Sequence, residues 1–186
     1  MSDPLKILAV SGSLRHNSLN TALLHAAQEV APAHVQIELY DLADIPLYNG
    51  DEDGGEHGQP AGVGRFKAAL GAADAIMIAT PEYNYSIPGV LKNAIDWASR
   101  PIASSPLNGK PLAMMGAGGM SGTMRAQFHL RQILVHNNML VLNKPELYVV
   151  RAWEKFDSER NLTDEPTREQ LRKLVEALVA WTRRVG

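Results

Sequence analysis

Three segments of the sequence place polar and flexible residues directly after short apolar runs. The first, Ser11–Asn20, reads SGSLRHNSLN and supplies three serine hydroxyls, an asparagine amide and the guanidinium of Arg15. A helical pattern follows it, so the free N–H groups and the dipole of that helix also favour an anion here. Converging donors and one compensating charge are what a phosphate monoester requires.

Two nucleotide motifs are missing from this first segment. No Gly-Lys-Ser/Thr sequence closes it, which disfavours a P-loop, and it contains no G-x-G-x-x-G dinucleotide fingerprint. The alternative interpretation is ordinary helix capping by Ser18 or Asn20. Capping accounts for one or two residues, but not for three serines, an asparagine and an arginine together. The sequence therefore favours phosphate binding.

The second segment is bracketed by Pro81 and Pro88, which fix its backbone. Pro88 suits the first turn of the helix that follows. Between the prolines, Tyr83 and Tyr85 offer aromatic surface, while asparagine and serine offer hydrogen bonds. A stiff loop of this composition suits a flat heteroaromatic ring. The alternative is a structural turn that only starts the helix.

The third segment, Met115–Thr123, reads MGAGGMSGT and is rich in glycine. Glycine allows the backbone to approach a ligand closely. Other chemistry is not indicated. The chain has no cysteine, which excludes disulfides and thiolate sites. It has no defensible Ser/His/Asp order, and His129 and His136 on one helical pattern are predicted to lie on a surface or at an interface. We therefore predict no metal site and no acid–base catalyst.

Short apolar runs alternate with helical patterns along the whole chain. The runs predict five strands: Leu5–Val10, Val35–Leu39, Ala75–Ala79, Leu112–Met115 and Leu140–Leu142. The fifth strand is predicted to resume at Leu147–Val150. Apolar residues at helical spacing predict five helices: Asn20–Val30, Gly64–Ala73, Gly89–Ala98, Met124–Asn137 and Thr167–Arg184.

This alternation indicates an α/β fold. Uniformly apolar strands are typical of a parallel sheet covered on both faces. A length of 186 residues suits one domain, and we predict a flavodoxin-like three-layer sandwich over residues 1–186 with a five-stranded parallel sheet. All three polar segments then leave the carboxyl ends of strands, where such sheets bind ligands. The glycine-rich, acidic Tyr48–Gly62 stretch is interpreted as a solvated loop or as a lid.

Two of these segments resemble the signature loops of a known family. GSLRHNSLN and PEYNYSIPGVLKNAIDWASRP are similar to loops of the NADPH-dependent FMN reductases, closest to their bacterial chromate/quinone reductase branch. RAQFHLRQIL, from Arg125 to Leu134, and the later NKPE extend the similarity. The matching stretches reach from about residue 5 to about residue 150.

The resemblance implies a flavodoxin-like fold, an FMN group and a homodimer or homotetramer. It assigns the FMN phosphate to the first loop, with Ser13, Arg15, Ser18, Leu19 and Asn20. It assigns the ribityl chain and ring to the second, with Pro81, Glu82, Tyr83, Asn84, Tyr85 and Ser86. The third loop contributes Gly116, Ala117 and Gly118, and departs from the family by lacking serines there. We therefore expect only backbone groups to serve the flavin edge.

The chemistry implied is hydride transfer from NADPH or NADH to FMN, then to an acceptor bound in the same place, which is a ping-pong cycle. The acceptor is left open among quinones, free flavins, azo dyes and metal oxyanions such as chromate. The rival interpretation is a flavodoxin-like electron carrier without nicotinamide turnover. A net charge of -2 disfavours it, because carriers usually dock through a strongly acidic face. A third is a regulatory protein without cofactor.

Arg125 and Glu146 each follow a sheet-end loop, and we interpret them either as a pair across a subunit interface, joined by the Tyr85 hydroxyl, or as solvated charges. Trp97 is predicted to pack either at a dimer interface or against other residues of its own chain. The small net charge does not suggest a broad nucleic-acid or anionic-membrane surface. The sequence lacks a secretory signal pattern and any apolar run near the ~20 residues of a membrane span, so we expect a cytoplasmic protein.

Overall fold

The computed structural model describes residues 4–54 and 58–186 and builds them around a parallel sheet. The strands are β1 (Leu5–Ser11), β2 (Val35–Tyr40), β3 (Ala75–Ala79), β4 (Pro111–Ala117), β5 (Leu140–Val141) and β6 (Leu147–Val149). Their order is β2-β1-β3-β4-β5, and β6 also pairs with β4, further along that strand. The last position of the sheet is therefore shared by two short strands, as the interrupted apolar pattern predicted.

Five helices cover the two faces of the sheet. They are α1 (Leu19–Val30), α2 (Ala61–Ala72), α3 (Gly89–Ala98), α4 (Met124–Leu134) and α5 (Glu165–Val185). One buried apolar cluster joins α1 and α5 to the sheet, and a second joins α2, α3 and α4 to the other face. The three-layer, flavodoxin-like α/β architecture predicted from the sequence is confirmed. No helix within the described residues is long and apolar enough to cross a membrane.

Strand order places the candidate loops together. The chain moves from β1 outward to β2, then returns to the other side of β1 with β3. Ligands bind at such a switch point, outside the carboxyl ends of the strands. The loops after β1, β3 and β4 leave neighbouring strands at that edge of the sheet, so one ligand can reach all three.

Element bounds differ modestly from the predicted ones. β3 and α3 begin and end at the predicted residues. Helix α2 begins three residues early, at Ala61, and the end predicted for α4 is a separate 3-10 turn at Val135–Asn137. A 3-10 turn is usual where an α-helix ends.

The Tyr48 end of the Tyr48–Gly62 segment packs against α3. The Tyr48 ring meets Trp97 edge-on at 4.9 Å, and the amide of Tyr48 donates to Asn93 Oδ1. The indole N–H of Trp97 donates to the Pro46 carbonyl, and its side chain is fully buried. The intrachain alternative for Trp97 is confirmed. Residues 55–57 of the segment lie outside the described residues.

Candidate functional site

Hydrogen bonds within the first loop and to helix α1 hold its backbone in place. Ser11 ends β1, and its hydroxyl accepts from Thr21 Oγ1 at 2.8 Å. The hydroxyl of Ser13 accepts from the amide of Arg15. Ser18 caps α1 by accepting from the amide of Thr21, so the capping alternative holds for this residue. Ser18 accepts this bond and keeps its own hydroxyl hydrogen, so capping and ligand binding are compatible.

Arg15 is the basic side chain of this loop. Its side chain is exposed, and no carboxylate within residues 4–54 and 58–186 forms an ion pair with it. It stands beside the amino end of α1, where the first N–H groups of a helix lack intrahelical partners. A guanidinium and a helix terminus together make a site for a dianion.

Asn20 joins the first loop to the third. Its side chain is 4% exposed, its Oδ1 accepts from the Ala117 amide at 2.9 Å, and its Nδ2 donates to the Ala117 carbonyl at 3.0 Å. The sequence assigned Asn20 to phosphate. In the structure one amide hydrogen stays available for a ligand, while the rest of the group fastens helix α1 to the end of β4.

Replacing Asn20 with alanine removes both bonds and leaves the amide and carbonyl of Ala117 unpaired in a buried place. We expect a loss of about 2–4 kcal/mol in the free energy of unfolding, because each orphaned group costs about 1–3 kcal/mol. Urea denaturation of Asn20→Ala measures it. Asn17→Ala, at an exposed position of the same loop, is the control and is expected to change little. Equal effects in both variants would contradict the clamp.

The second loop is a tight hairpin. Tyr83 and Ser86 exchange two backbone hydrogen bonds of 3.0 Å, and Asn84 and Tyr85 between them both have positive φ, at 51° and 64°. Positive φ at both central residues defines a type I′ turn. Asparagine tolerates this conformation, whereas a bulky tyrosine is rarely found in it. Something must therefore hold Tyr85 in place.

Glu82 and Arg125 hold Tyr85 in this conformation. The carboxylate of Glu82 accepts from the amides of Arg125 and Ala126 at the start of α4, from Ser121 Oγ, and from the Arg125 guanidinium at 2.6 Å. That guanidinium lies 4.0 Å above the Tyr85 ring. Burial acts to raise the pKa of Glu82, but these hydrogen bonds outweigh it and hold that pKa below its ordinary value. Glu82 therefore stays ionised and binds the second loop to α4.

The third loop differs from the sequence-based expectation. The amide of Ala117 is taken by Asn20, and the amide of Gly118 donates to the Val149 carbonyl at 3.0 Å. Gly116 is buried inside β4, where a side chain would collide with Thr80 and Thr123. Its role is packing. Among the described residues, Gly119 is the next position whose backbone reaches the site.

These loops enclose one cleft of about 300 Å³. The residues predicted from the sequence that line it are Ser13, Arg15, Ser18, Leu19, Asn20, Pro81, Glu82, Tyr83, Ala117 and Gly118. Those that do not line it are Asn84, Tyr85, Ser86 and Gly116. All the first-loop residues named from the sequence therefore line the cleft, and their binding of a phosphate stays a prediction. The hairpin tip lies outside the cleft wall, because its turn carries it toward α4.

Four further residues line the cleft that sequence reasoning did not single out: Gly119, Ser121, Thr123 and Trp153. Three belong to the third loop, whose glycine content was the visible signal. Trp153 comes from a later turn, and no pattern in the sequence connected it with the others. The lining holds one basic side chain, Arg15, and one acidic side chain, Glu82, which is already paired.

Volume alone does not identify the site. A depression of about 790 Å³ lies at the opposite edge of the sheet, and it mixes Lys110, Arg183 and His34 with Asp74. The ammonium of Lys110 donates to the Ala73 carbonyl there at 2.6 Å, so it closes the end of α2. Within the described residues, no group of three or more His, Asp or Glu side chains is arranged to hold a metal ion.

The predicted interface residues have partners within the chain. Arg125 binds Glu82, and it meets Tyr85 through the ring face rather than through the hydroxyl. Glu146 accepts from Lys144 Nζ at 2.6 Å and from the Tyr148 hydroxyl at 2.8 Å. His129 and His136 lie exposed on the open groove beside α3 and α4, as expected. Pairing of Arg125 with Glu146 across subunits stays a prediction.

Tyr148 yields a pH prediction. Burial, and then the hydrogen bond to Glu146, raise the pKa of Tyr148 to about 12 from 10.0. A raised pKa in the folded state means that this contribution to stability is complete below pH 10 and is lost as the pH rises toward 12. Ultraviolet titration of phenolate should show one step near pH 12 that Tyr148→Phe removes and Glu146→Gln moves to lower pH. An unchanged midpoint in Glu146→Gln would refute the coupling.

The fold is that of a flavodoxin-like protein, and its cleft is lined by phosphate-type donors and aromatic side chains. Comparison with known proteins agrees. Residues 5–154 match the model of the NADPH-dependent FMN reductase family. An NAD(P)H-dependent FMN reductase of Pseudomonas aeruginosa is 50% identical over 186 residues, covering 100% of this chain and 99% of that protein.

Two other similar proteins extend the comparison. A 2-hydroxy-1,4-benzoquinone reductase of a Burkholderia species is 41% identical over 180 residues, covering 96% of this chain and 97% of that one. The solved structure of FerB, a flavoenzyme NAD(P)H:(acceptor) oxidoreductase of Paracoccus denitrificans, superposes with a TM-score of 0.87 at 34% identity. The superposition covers 98% of this chain and 99% of the FerB chain. The chain belongs to the NADPH-dependent FMN reductase family.

Proposed function

We propose that this protein is an NAD(P)H-dependent quinone reductase that works through an FMN held in the cleft between the loops after β1, β3 and β4. One observation carries the proposal: a guanidinium with no ion-pair partner among the described residues, a helix amino terminus and an exposed tyrosine line the same cleft. The relatives named as FMN reductase and quinone reductase support the choice of reaction.

The donor set of the cleft fits the FMN phosphate. Arg15 supplies positive charge, Ser13 and Ser18 supply hydroxyls, Asn20 supplies one amide hydrogen, and the amino end of α1 supplies N–H groups. The one carboxylate in the lining, that of Glu82, is neutralised by Arg125, so it does not repel the phosphate. Charge-assisted donors of this kind are the strong ones for phosphate.

The other end of the cleft fits a flat ring. Pro81 is buried, and Tyr83 beside it is 45% exposed at the cleft wall. The hairpin bonds between Tyr83 and Ser86 fix this wall. A rigid wall holds a ring in one orientation without the entropic cost of ordering a loop.

FMN, when bound, supplies the redox chemistry by taking a hydride from NAD(P)H and passing two electrons to the acceptor. The protein's residues bind, orient and exclude water. Arg15 and the end of α1 hold the phosphate, and Pro81 and Tyr83 hold the ring. No side chain of the lining is required as an acid or a base.

Donor and acceptor are proposed to occupy the same open side of the cleft in turn, which is a ping-pong order. A shared, open place discriminates weakly among flat or small oxidants. Quinones are the preferred acceptors because relatives are named for them. Free flavins, azo dyes and oxyanions such as chromate are further candidates on the same argument.

The test is to incubate the purified protein with FMN, remove the excess, and mix it anaerobically with NADPH and separately with NADH. Loss of flavin absorbance, followed by its return when a benzoquinone is added, supports the proposal. Flavin that is reduced by dithionite but by neither nucleotide would favour an electron carrier. Colourless protein that takes up no FMN would favour a regulatory role.

Assembly and location complete the proposal. We propose one domain per chain, a homodimer or homotetramer, and action in the cytoplasm. The lack of cysteine is compatible with a reducing compartment. Apolar side chains of α4 are exposed, with Phe128 54% accessible in the single chain, and an assembly would cover them. Light scattering of the purified protein measures the assembly state.

A further inference from the structure

Trp153 lines the cleft and does not belong to the buried core. It is 61% exposed, whereas Trp97 is fully buried and Trp181 donates its indole N–H to the Leu140 carbonyl. A large aromatic side chain left in water forgoes the free energy that burial provides. A single exposed aromatic residue is ordinary, but this one lines the cleft, and aromatic side chains commonly line ligand pockets.

The turn that carries Trp153 is rigid. The amides of Arg151 and Ala152 donate to the carbonyls of Gly119 and Gly118 at 3.0 and 2.9 Å, and the Gly118 amide donates back to Val149. Ala152, the residue before Trp153, is buried, with 1% exposure. These bonds tie the turn to the third loop. The indole is therefore presented to the cleft by a preformed backbone.

Local strain points the same way. Arg151 has φ of 47°, in the left-handed region that residues other than glycine rarely adopt. Its guanidinium pairs with Glu154, and its carbonyl accepts from the Glu154 amide at 2.9 Å, so the turn is closed on both sides of Trp153. Strained backbone that persists in this way is concentrated at functional sites.

We propose that Trp153 is a flavin-contact residue that forms the cleft wall on the side of the third loop, opposite the wall made by Pro81 and Tyr83. The ring that enters the cleft covers the indole, and the aromatic contact adds to ring affinity without touching the phosphate. This inference rests on the proposed function, because it takes the ligand of the cleft to be FMN.

Hydroxyl-radical footprinting of FMN-loaded and FMN-stripped protein, read by mass spectrometry, tests the contact directly. We expect oxidation of Trp153 to fall several-fold when FMN is bound. Met120 is the internal control, because it lies in the third loop at 79% exposure and does not line the cleft. Its oxidation is expected to stay unchanged.

Substitution separates ring contact from phosphate contact. Trp153→Ala is expected to weaken both FMN and riboflavin about tenfold, because riboflavin has the ring and lacks the phosphate. Trp153→Phe, which keeps an aromatic surface and serves if the alanine variant does not fold, is expected to restore most of that affinity. Trp181→Phe is the control for loss of an indole elsewhere.

Three outcomes would overturn the assignment. They are equal oxidation of Trp153 with and without FMN, a Trp153 protected in both states because a second copy covers it, and riboflavin affinity unchanged in Trp153→Ala. These outcomes differ from those that would refute the proposed function. The proposed function fails if FMN does not bind the wild-type protein at all, or if bound FMN is reduced by neither NADPH nor NADH.

Discussion

Replacing Arg15 with glutamine should weaken FMN binding by about 10- to 100-fold while leaving riboflavin binding unchanged. The guanidinium is the one basic group in the cleft lining, so glutamine removes the compensating charge from the phosphate end. A hydrogen bond to a charged group contributes about 1.5–3 kcal/mol, and each 1.4 kcal/mol is about a factor of ten in affinity. The ring end of the cleft, formed by Pro81 and Tyr83, is untouched by the change.

Titration of the apoprotein with each flavin measures the effect. Arg183→Gln is the matched control, because Arg183 is an exposed arginine that lies at the opposite edge of the sheet. Raising the salt concentration should weaken FMN binding more in the wild-type protein than in Arg15→Gln. Equal losses for FMN and riboflavin would show that Arg15 acts on the fold of the loop and not on the phosphate.

The architecture could be predicted from the sequence because local pattern and burial agree. Ala75–Ala79 is apolar throughout, and in the structure every residue of β3 is buried. Helix α3 begins at Gly89 as predicted, with Pro88 as its N-cap residue, one position before the first turn that the sequence assigned to it. Three polar loops following three such strands had to meet at one edge, because parallel strands share their carboxyl ends.

The inner structure of the cleft could not be predicted, because it depends on bonds between residues far apart in the chain. Asn20 and Ala117 are 97 positions apart and form two hydrogen bonds. Glu82 and Arg125 are 43 apart. Spacing in sequence carries no sign of such pairs. Trp153 enters the cleft only because backbone bonds tie its turn to Gly118 and Gly119.

A second set of differences comes from side chains that serve the fold and the site at once. Ser18 caps α1 and keeps a hydrogen for a ligand. Asn20 bonds helix α1 to the end of β4 and keeps one amide hydrogen for a ligand. The sequence posed capping and binding as alternatives, whereas the hydrogen-bond inventory of each side chain permits both. Both carboxylate oxygens of Glu82 accept hydrogen bonds from Arg125 in α4. Glu82 therefore lines the cleft as a carboxylate whose charge is already compensated.

Gly116→Ala should be the most destabilising small substitution near the cleft. An added Cβ would overlap the Thr123 hydroxyl and lie 2.5 Å from the Thr80 carbonyl oxygen. Neither atom can move easily: Thr80 is fully buried within the sheet edge, and Thr123 is 1% exposed with φ of 76° and a hydroxyl that accepts from Gln127 Nε2. Overpacking a rigid site costs about 1–3 kcal/mol, and we expect about 3 kcal/mol or more here.

The measurement is urea denaturation, with Gly119→Ala as the matched control. A Cβ at Gly119 would meet no atom within 4 Å, so that variant should change the free energy of unfolding little. The double variant Gly116→Ala with Thr123→Gly removes the hydroxyl overlap but keeps the Thr80 contact, and it should recover part of the loss. Gly116 and Gly119 variants of equal stability would show that β4 can shift outward. The side of the cleft formed by the end of β4 would then be deformable, whereas the wall held by the Tyr83–Ser86 hairpin bonds would be unaffected.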